Sequence, residues 1–507
     1  MTGTDRTLVS ALLGAVREHR GAVAVHDAGV AYSYAQLDAR SGEIAGALAL
    51  RGIVPGDVVA LYSTRSWERC AAVLGAWRVG AGVVSLDPEL PAARAERIVR
   101  GAGCTLVLRA DELAPTGLGA EEAAFGELRA AAPAEVVDGP IGYVIPTSGS
   151  TGEPKSVAVP PVVLADLGDW HGWHWQHEQL PHTLHAASIG FDVVYEDMVA
   201  TWLAGATLVV VGDDERRDPF ALIELVREHR VARLFLPVVG LHGLAMAAVL
   251  GEEELPSLRE IAVAGERLVI NDEVREFCAA AGVTVVNQYG PSETHVVTQH
   301  RLTADRAAQW PDHPPIGAAV VGAELLCLAD GVLRPFEEGE EAELMIAGDC
   351  VALGYLGDEA LTAAKFRTLA HQDGESRRCY ASGDLVRFEG GEFHFLARVD
   401  DQLKVNGYRV EPGEVEAVLN ALPGVRRAVV VGVRVANSTR LAAAYTRPPG
   451  VALEAHELAE ACAAQLPGYM VPKHFHELDE LPVTANGKVD RARLREIWAQ
   501  QPIGSQA

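Results

Sequence analysis

One stretch of the chain, residues 147–157, concentrates groups that could bind phosphate. It reads Thr-Ser-Gly-Ser-Thr-Gly-Glu-Pro-Lys-Ser-Val and follows a short apolar run. Its glycines let the backbone turn tightly and approach a ligand, while its N–H and hydroxyl groups, together with Lys155, could hold phosphate oxygens. The stretch is not a Walker loop, because Glu-Pro separates Gly152 from the lysine. A flexible Ser/Gly surface loop is the alternative, and for a glycine-rich stretch taken alone it is the more common case.

Length and composition indicate a large globular protein with no general affinity for nucleic acid. A chain of 507 residues exceeds one ordinary domain, so two or three packed units are expected. The net charge of −26 disfavours nucleic acid, whose phosphate backbone attracts a basic face. The seven cysteines are scattered without a Cys-x-x-Cys pair, which is typical of free thiols in a reducing cytosol. With no secretory leader pattern and no apolar stretch of about 20 residues, we predict a cytoplasmic location and no membrane partner.

The alternation of apolar and Ala-rich segments predicts the fold class. Between residues 58 and 290, short Val/Ile/Leu-rich runs alternate with helical segments, which indicates an α/β body of doubly wound sheets. The Ala/Gly/Pro-rich residues 109–140 are predicted to be a connection. Beyond residue 315, short strands separated by Gly-Asp and Gly-Gly turns predict a small β subdomain. From about Asp400 a separate α+β unit is predicted, so we expect an N-terminal core, 1–398, and a C-terminal lid, 399–507.

Polar stretches recur between apolar elements along the rest of the chain. They are Phe191-Asp192, Asn287-Gln-Tyr-Gly-Pro-Ser-Glu-Thr294, Tyr380-Ala-Ser-Gly-Asp384, Arg398 to Glu411 and Leu481 to Asp490. Each alone could be a turn, a strand cap or a hairpin tip. Together and in this order, they resemble the core motifs of the adenylate-forming superfamily, most closely the amino-acid adenylation domains of nonribosomal peptide synthetases. The resemblance extends from about residue 32 to 490, because residues 32–37, 343–356 and 466–472 also match.

The resemblance implies a reaction in which a carboxylate attacks the α-phosphate of ATP, giving an acyl-adenylate and pyrophosphate. An anion then attacks a polyanion, so cations and hydrogen-bond donors must converge on the α-phosphate. The implied catalytic residues are Lys488, which would bridge the substrate carboxylate and the α-phosphate, Thr294, which would face the α-phosphate, and Lys155. By the same resemblance, Glu293 helps to bind Mg²⁺. The β- and γ-phosphates would be held, together with Lys155, by Thr147, Ser148, Gly149, Ser150, Thr151 and Gly152.

The resemblance also assigns the rest of the nucleotide and a hinge. Tyr289 would stack on adenine through its flat π-face, Asp384 would accept both ribose hydroxyls, and Arg398 would support the same sugar. Gly265 and Asn287 are assigned to the same cofactor site. Asp400 occupies the position of a hinge about which the lid would rotate between adenylation and thioester formation. Four positions depart from the family's usual residues without removing a catalytic group: Glu153, Ser156, Ala381 and Ala397.

Asp192 occupies the position at which amino-acid-activating members place the carboxylate that pairs with the substrate amine. Relatives that activate aryl or fatty acids need no anion there, and it would cost them desolvation. The alternative is an aspartate that caps a local helix. The pocket for the substrate side chain implied by the resemblance consists of Val193, Glu196, Val239, Ala262, Ala264, Gln288, Val296 and Val297.

Glu196 decides the predicted substrate. A one-residue shift could instead make Glu196 the family's structural glutamate, but the spacing from Asp197 to Gly205 favours Glu196 in the pocket and Asp197 as the structural acid. A carboxylate in an otherwise apolar pocket implies a cationic partner. We therefore expect a basic amino acid: lysine or β-lysine first, then ornithine or an arginine-like residue. Gln288 could shorten the pocket or hydrogen-bond the substrate, and the sequence does not decide between the two.

The acceptor of the activated acid has no motif of its own in the sequence. The chain contains neither a Gly-Gly-[His/Asp]-Ser carrier motif nor a His-His-x-x-x-Asp-Gly motif. We therefore expect a free-standing enzyme, or one excised from a longer protein, that uses a phosphopantetheinyl carrier protein in trans, with or without a small activator protein. His171 and His174, in a Trp-rich stretch, are predicted to be packing or surface residues. The nearest rival is an acyl- or aryl-CoA ligase of the same superfamily, and a second rival is a non-catalytic module that senses nucleotides or amino acids.

Overall fold

The structure is a computed structural model that describes residues 7–130, 132–149, 153–400, 402–405, 407–435, 438–448, 453–483 and 489–499. Contacts within the chain divide it into two compact units. The first comprises Met1–Pro88, Val99–Pro146 and Ser156–Val399. The second comprises Glu89–Ile98, Thr147–Lys155 and Asp400–Ala507.

Helices and strands alternate along most of the first unit. The helices of the described residues are, in chain order, α1 Leu8–Glu18, α2 Tyr34–Leu50, α3 Trp67–Arg78, α4 Ala92–Gly101, α5 Pro161–His174, α6 Val193–Leu203, α7 Pro219–Glu228, α8 Val238–Leu250, α9 Asp272–Ala281, α10 Glu359–Lys365, α11 Pro412–Asn420, α12 Ala455–Ala463 and α13 Arg491–Ala499. The strands up to the end of the α/β body are β1 Val23–Asp27, β2 Val30–Ser33, β3 Val58–Tyr62, β4 Gly82–Leu86, β5 Leu106–Arg109, β6 Glu121–Ala124, β7 Tyr143–Thr147, β8 Lys155–Val159, β9 Thr183–His185, β10 Leu208–Val210, β11 Arg233–Pro237, β12 Glu260–Ala264, β13 Thr284–Tyr289, β14 Thr298–Leu302 and β15 Ala318–Ala319. The remaining strands are β16 Ala323–Ala329, β17 Val332–Arg334, β18 Glu341–Gly348, β19 Gly354–Tyr355, β20 Phe366–Ala370, β21 Ser376–Glu389, β22 Glu392–Arg398, β23 Leu403–Val405, β24 Tyr408–Val410, β25 Arg427–Val435, β26 Ser438–Thr446 and β27 His474–Glu477.

Two mainly parallel sheets form the α/β body. The larger has the strand order β15-β14-β13-β12-β11-β9-β10-β1-β2, and its strands from β13 to β1 run parallel. The other has the order β19-β8-β7-β4-β3-β5-β6, with β7, β4, β3, β5 and β6 parallel. Strands β3 and β4 are buried over almost their whole length, which is typical of parallel strands in a sheet covered on both faces. The predicted doubly wound α/β class is confirmed.

An antiparallel sheet and an α+β segment complete the architecture. Strands β16, β17, β18, β20, β21 and β22 form the predicted small β subdomain. In the second unit, β23 pairs with β24, and β25, β26 and β27 form a three-stranded sheet. Helices α11, α12 and α13 accompany these strands in the chain, which confirms the predicted α+β character of the C-terminal part.

Each unit has its own apolar core. In the second unit, alternate residues of β25 face two different clusters, as the two-residue period of a strand requires. Ala428 and Val430 pack with residues of α11 and α12. Val429, Val431 and Val433 pack on the opposite face, with Leu494 and Trp498 of α13. The C-terminal segment thus buries both faces of its sheet with its own helices.

The segment predicted as a connection, 109–140, contains a strand. β6 pairs in parallel with β5 at the edge of its sheet and leads into a 3₁₀ turn, Phe125–Glu127. The sequence analysis missed this strand because Glu-Glu-Ala-Ala has no β-branched or aromatic residue. In the described part of the chain, no helix combines the length and the apolar character that crossing a membrane would need; the cytoplasmic location stays a prediction.

Candidate active site

Helix α6 positions the acidic residues on which the predicted pocket depends. It begins after Asp192, whose carboxylate accepts a hydrogen bond from the N–H of Val193 at 3.0 Å and so caps the helix. The capping role considered from the sequence is therefore present, and this bond uses one carboxylate oxygen. Glu196 and Asp197 follow with fully buried side chains. Because consecutive residues of a helix point about 100° apart, these two carboxylates meet different partners.

Asp197 pairs with a histidine of the neighbouring sheet. Both carboxylate oxygens of Asp197 lie 3.0 Å from Nδ1 of His185, on β9. Neither side chain is exposed to solvent. This buried pair ties α6 to the sheet, which is the structural task that the sequence analysis expected of Asp197.

Glu196 is held by three side chains, and together the four residues form what we call the Glu196 cluster. Oε1 accepts hydrogen bonds from His171 Nε2 at 2.7 Å and from Gln288 Nε2 at 2.9 Å. Oε2 accepts one from His295 Nε2 at 3.2 Å. Burial alone would raise the pKa of Glu196, but the hydrogen bonds from His171 and His295 hold it well below its usual range. The carboxylate is therefore ionised at neutral pH.

The Glu196 cluster corrects one expectation from the sequence. The pocket around Glu196 is not otherwise apolar, because two histidines and one amide donate to the carboxylate. His171 is buried and packs against Phe235, and its ring also binds Glu196. Residues 171, 196 and 295 come from α5, α6 and the loop after β13, and no spacing in the sequence links them. Only the packing of α5 and α6 brings His171 to Glu196.

His295 lies on a tightly folded loop between β13 and β14. Its backbone has the left-handed φ of 57°, which few residues other than glycine adopt. Nδ1 of His295 is 2.6 Å from the hydroxyl of Tyr143, on β7. Burial disfavours the charged ring, but the carboxylates of Asp192 and Glu196 raise the pKa of His295 above its ordinary value. Asp192 and the Glu196 cluster are thus close enough to interact electrostatically.

Small and apolar side chains form one wall of the same region. Val193 packs on a cluster of Phe235, Ala262 and Val286, which stand side by side on β11, β12 and β13. Two residues further along, Ala264 at the end of β12 and Gln288, one residue before the end of β13, lie on the same face, because side chains of a strand alternate. The structure therefore brings together five of the predicted pocket residues: Val193, Glu196, Ala262, Ala264 and Gln288.

The other predicted pocket residues differ in their surroundings. Val296 and Val297 are buried in the main core together with Tyr289. Val239, at the second position of α8, is 48% exposed. The apolar wall described above is formed by other residues, and the place of Val239 in the pocket stays a prediction.

Residues assigned to adenine and ribose meet at the edge of the β subdomain. Asp384 on β21 stands opposite Arg398 on β22 and forms an ion pair with it. The hydroxyl of Tyr289 donates to the other oxygen of Asp384 at 2.5 Å. A carboxylate has about four lone-pair positions, so these two partners leave acceptor capacity for further hydroxyl groups. Nearby in the sequence, the Asn287 amide donates to the Pro315 carbonyl at 2.8 Å.

Glu293 and Thr294 follow in the loop after β13. Glu293 is fully buried, and its Oε1 accepts from the hydroxyl of Tyr355 at 2.7 Å. The Thr294 hydroxyl lies 3.3 Å from the carbonyl oxygens of Pro291 and His295. Gly265, which directly follows β12, has a φ of 90° that glycine adopts without strain. Among the described residues no group of three or more His, Cys, Asp or Glu could hold a metal ion by itself.

In the second unit, the start of the predicted phosphate loop is bonded to an acidic segment. Ser148 Oγ donates to the carbonyl of Arg409 and accepts from the N–H of Glu411, both at 3.0 Å. The N–H of Gly149 donates to Glu414 Oε2 at 3.2 Å. Lys155 Nζ lies 3.5 Å from Glu411 Oε1. Three of the groups expected to meet phosphate therefore have protein oxygens as partners in this structure, while Thr147 Oγ1 is buried with no partner in the described part of the chain.

Several predicted residues lie outside the described residues: Ser150, Thr151, Gly152 and Lys488. The proposed hinge residue Asp400 begins the C-terminal segment of the second unit. Its carboxylate accepts from the N–H of Gln402 at 3.3 Å. The roles of these residues stay predictions.

Comparison with known proteins identifies the class to which this fold and site belong. The family model of the AMP-binding enzymes matches residues 13–356, and the model of the AMP-binding enzyme C-terminal domain matches residues 414–488. The chain therefore belongs to the AMP-binding enzyme family, whose members form adenylates. It is similar to large peptide synthetases and to a solved NRPS protein that contains an adenylation domain.

The relatives that support this assignment are large synthetases. The chain is 34% identical over 477 residues to tyrocidine synthase 2 of Brevibacillus parabrevis, covering 91% of this chain and 13% of that protein. It is 35% identical over 519 residues to phosphinothricin tripeptide synthetase PhsC of Streptomyces viridochromogenes, covering 98% of this chain and 45% of that protein. The chain thus spans less than half of the length of either relative.

Solved structures show the same architecture. PA1221, an NRPS protein containing adenylation and PCP domains, matches with a TM-score of 0.82 and 26% identity over 96% of this chain and 84% of that chain. The amide bond synthetase McbA from Marinactinospora thermotolerans matches with a TM-score of 0.84 and 24% identity over 97% of this chain and 100% of that chain. The second likeness shows the fold alone.

Proposed function

We propose that this chain activates a free amino acid with ATP, releasing pyrophosphate, and then transfers the aminoacyl group to the phosphopantetheine thiol of a carrier protein. The position of the Asp192 carboxylate is the observation that supports the assignment of an amino acid as the substrate. This carboxylate stands at the start of α6, and its charge acts on the buried ring of His295. An ammonium group of the substrate would pair with this charge, whereas a fatty or aryl acid would leave it without a partner.

The nucleotide residues fit the proposed reaction. Asp384 keeps acceptor capacity for ribose beside Arg398 and Tyr289. Glu293 offers one buried carboxylate, and one or two carboxylates together with substrate phosphates are the usual way in which a protein holds Mg²⁺. The bound ion would neutralise phosphate charge. Thr294 would orient the α-phosphate, and Lys155 and Lys488 would add positive charge against the repulsion between the carboxylate and the phosphates.

A carrier protein is the proposed acceptor, and coenzyme A is the rival. Support comes from PA1221, which is described as containing adenylation and PCP domains. Formation of an aminoacyl thioester on a carrier protein, without comparable thioester formation on coenzyme A, would favour the proposal. The reverse result would make the chain a CoA ligase. A module that only senses its ligands would give no turnover with either acceptor.

The main argument for a basic substrate no longer holds. That argument required a carboxylate with no protein partner, whereas Glu196 accepts hydrogen bonds from three side chains. Lysine, β-lysine, ornithine and an arginine-like residue stay candidates that a substrate panel can test. If one of them is bound through Glu196, replacing Glu196 by Gln will reduce its activation far more than that of neutral acids. Equal losses for both classes would remove the basic candidates.

The test of the amino-acid assignment is ATP–pyrophosphate exchange with an amino-acid panel and with Asp192→Asn. We expect the variant to raise KM for the amino acid by about two orders of magnitude, because removing one member of a buried charge pair costs about 2–5 kcal/mol. KM for ATP should stay nearly unchanged. Asp218→Asn is the control, since the Asp218 carboxylate also caps a helix, α7, where it accepts from the N–H of Phe220 at 2.9 Å. Equal KM values for the amino acid in Asp192→Asn and the wild type would contradict the assignment.

A further inference from the structure

We infer that Gln288 recognises a neutral hydrogen-bond donor on the side chain of the activated amino acid, an inference that rests on the proposed function. The Gln288 side chain is 2% exposed. Its Nε2 donates to Glu196, whereas its Oε1 is buried with no hydrogen-bond partner within the described residues. A buried acceptor left without a donor is costly, and a donor on the ligand would remove that cost.

Glu196 fixes the direction of this amide. An ionised carboxylate only accepts hydrogen bonds, so the amide nitrogen of Gln288 must face it. Turning the amide over would set two oxygens against each other about 2.9 Å apart and would lose the bond. His171 and His295 hold the carboxylate in turn. The acceptor of Gln288 is therefore oriented by a chain of buried contacts.

The position of Gln288 suits a side chain whose amine is held by Asp192. Ala264 ends β12, and Gln288 is one residue before the end of β13, the adjacent parallel strand. Ligands of open α/β sheets bind outside the carboxyl ends of the strands. Val193, which directly follows Asp192, packs on the same sheet face one row earlier. The side chain of Ala264 is a single methyl group. Of the two roles left open from the sequence, hydrogen bonding is the one that the contacts support.

The surroundings favour a neutral donor over a cation. Glu196, the anion beside Gln288, already accepts three hydrogen bonds. The ring of His295 lies 3.2 Å from that anion and would repel a second cation when it is protonated. A neutral amide oxygen is best matched by an amide N–H or a hydroxyl. The substrate class is therefore an amino acid with an amide, ureido or hydroxyl side chain.

The experiment measures ATP–pyrophosphate exchange of the full chain with pairs of amino acids of similar shape. The pairs are glutamine and methionine, asparagine and leucine, threonine and valine, citrulline and 2-aminooctanoate, and lysine and norleucine as the cationic pair. We expect one neutral donor to exceed its apolar counterpart in kcat/KM by about 100-fold or more, because a site built to hydrogen-bond a substrate rejects an analogue without the donor. Gln288→Met should reduce that ratio to below about 10-fold by raising KM for the donor substrate alone.

Gln299→Met is the matched control. Gln299 is the cross-strand partner of Gln288 on β14, and its Oε1 accepts from Trp170 at 3.0 Å. This variant loses a buried amide on the neighbouring strand and should keep the wild-type ratio. If Gln288→Met does not fold, the wild-type ratios decide the question by themselves.

The outcomes separate this inference from the proposed function. If kcat/KM is the same for both amino acids of every pair, the inference alone is overturned. It is also overturned if the kcat/KM ratio of the preferred pair is unchanged in Gln288→Met. Preference for lysine over all neutral donors also overturns it and restores the basic substrate. No exchange with any amino acid overturns the proposed function and this inference with it.

Discussion

At the scale of single residues, Glu196 shows how hydrogen-bond donors of the protein can stabilise a buried charge. A buried carboxylate without such donors would favour a cationic ligand, because an unpaired buried charge is costly. Glu196 instead accepts from His171, Gln288 and His295. Glu196 was expected to bind the substrate, but in the structure it positions the side chains of its protein neighbours. Its effect on the pKa of His295 can be tested by titration.

The Glu196–His295 pair should make stability depend on pH in a defined window. The folded pKa of His295 is raised above its ordinary value of 6.5, so protonation stabilises the fold. This contribution is complete below pH 6.5 and is lost as the pH rises through the raised pKa. The folded pKa of Glu196 is lowered from its ordinary value of 4.5, so its own contribution is complete above pH 4.5 and is lost as the pH falls. The pair therefore stabilises most between pH 4.5 and 6.5.

The measurement compares the free energy of unfolding of the wild type and of His295→Gln at several pH values. The advantage of the wild type should shrink from pH 6.5 upward, by up to about 1.4 kcal/mol for each pH unit until the raised pKa is passed. His313→Gln is the control, because His313 is exposed in a loop. An advantage that stays constant from pH 6 to pH 9 would show that His295 does not bind an extra proton in the folded state.

At the scale of elements, the loop between β13 and β14 builds the site by folding back on itself. A Cβ atom on Gly290 would lie 1.5 Å from the carbonyl oxygen of His295 and 3.0 Å from Cα of Val296. These are backbone atoms, which cannot move aside like the end of a flexible side chain. Gly290 therefore allows the approach that brings His295 to Glu196.

We expect Gly290→Ala to displace this loop. The free energy of unfolding should fall by about 2–4 kcal/mol, within the range for a backbone position that admits no side chain. KM for the amino acid should rise as well, because His295 leaves its partners. Gly172→Ala is the control, since a Cβ there meets nothing within 4 Å and alanine favours a helix by about 1 kcal/mol. An unchanged stability of Gly290→Ala would mean that the loop has another conformation.

Local patterns explain which parts of the fold and site the sequence could predict. Apolar runs such as β3 and β4 and the capped helix α2 follow from period and composition. Motifs within one short segment, such as 287–294, can also be recognised from the sequence. The Glu196 cluster was not predictable, because its members lie on four separate segments and only the packing of α5, α6 and β13 joins them. Strand β6 was missed for a different reason, because its sequence has no local pattern that indicates a strand.

At the scale of the whole molecule, the second unit combines segments that are far apart in the chain. Residues 89–98 and 147–155 belong to it together with the C-terminal segment, and nothing in their composition marks this association. Glu414 on α11 joins all three segments. It pairs with Arg94 and accepts from the N–H of Gly149 at 3.2 Å. Within the C-terminal segment itself, two apolar clusters already bury both faces of the sheet.

This arrangement predicts that the cost of Glu414→Gln depends on which segments are present. In the full chain Arg94 is 3% exposed, and removing its partner leaves a buried charge unpaired, which costs about 3–5 kcal/mol. A fragment of residues 400–507 keeps its own apolar clusters but lacks Arg94. Burial raises the pKa of Glu414 even with Arg94 present, so a neutral side chain should be tolerated in the fragment, with a change within about 0.5 kcal/mol or a gain. Chemical unfolding of both forms measures the difference.

Glu416→Gln is the matched control on the same helix. Glu416 binds Arg491 and the N–H of Val430, both at 2.8 Å, and both partners are inside the fragment. Its cost should therefore be the same in the fragment and in the full chain. A context-dependent loss for Glu414 beside a constant loss for Glu416 would show that residues 89–98 stabilise the C-terminal segment through this one charge. Equal losses for Glu414 in both forms would place its stabilising contacts within residues 400–507.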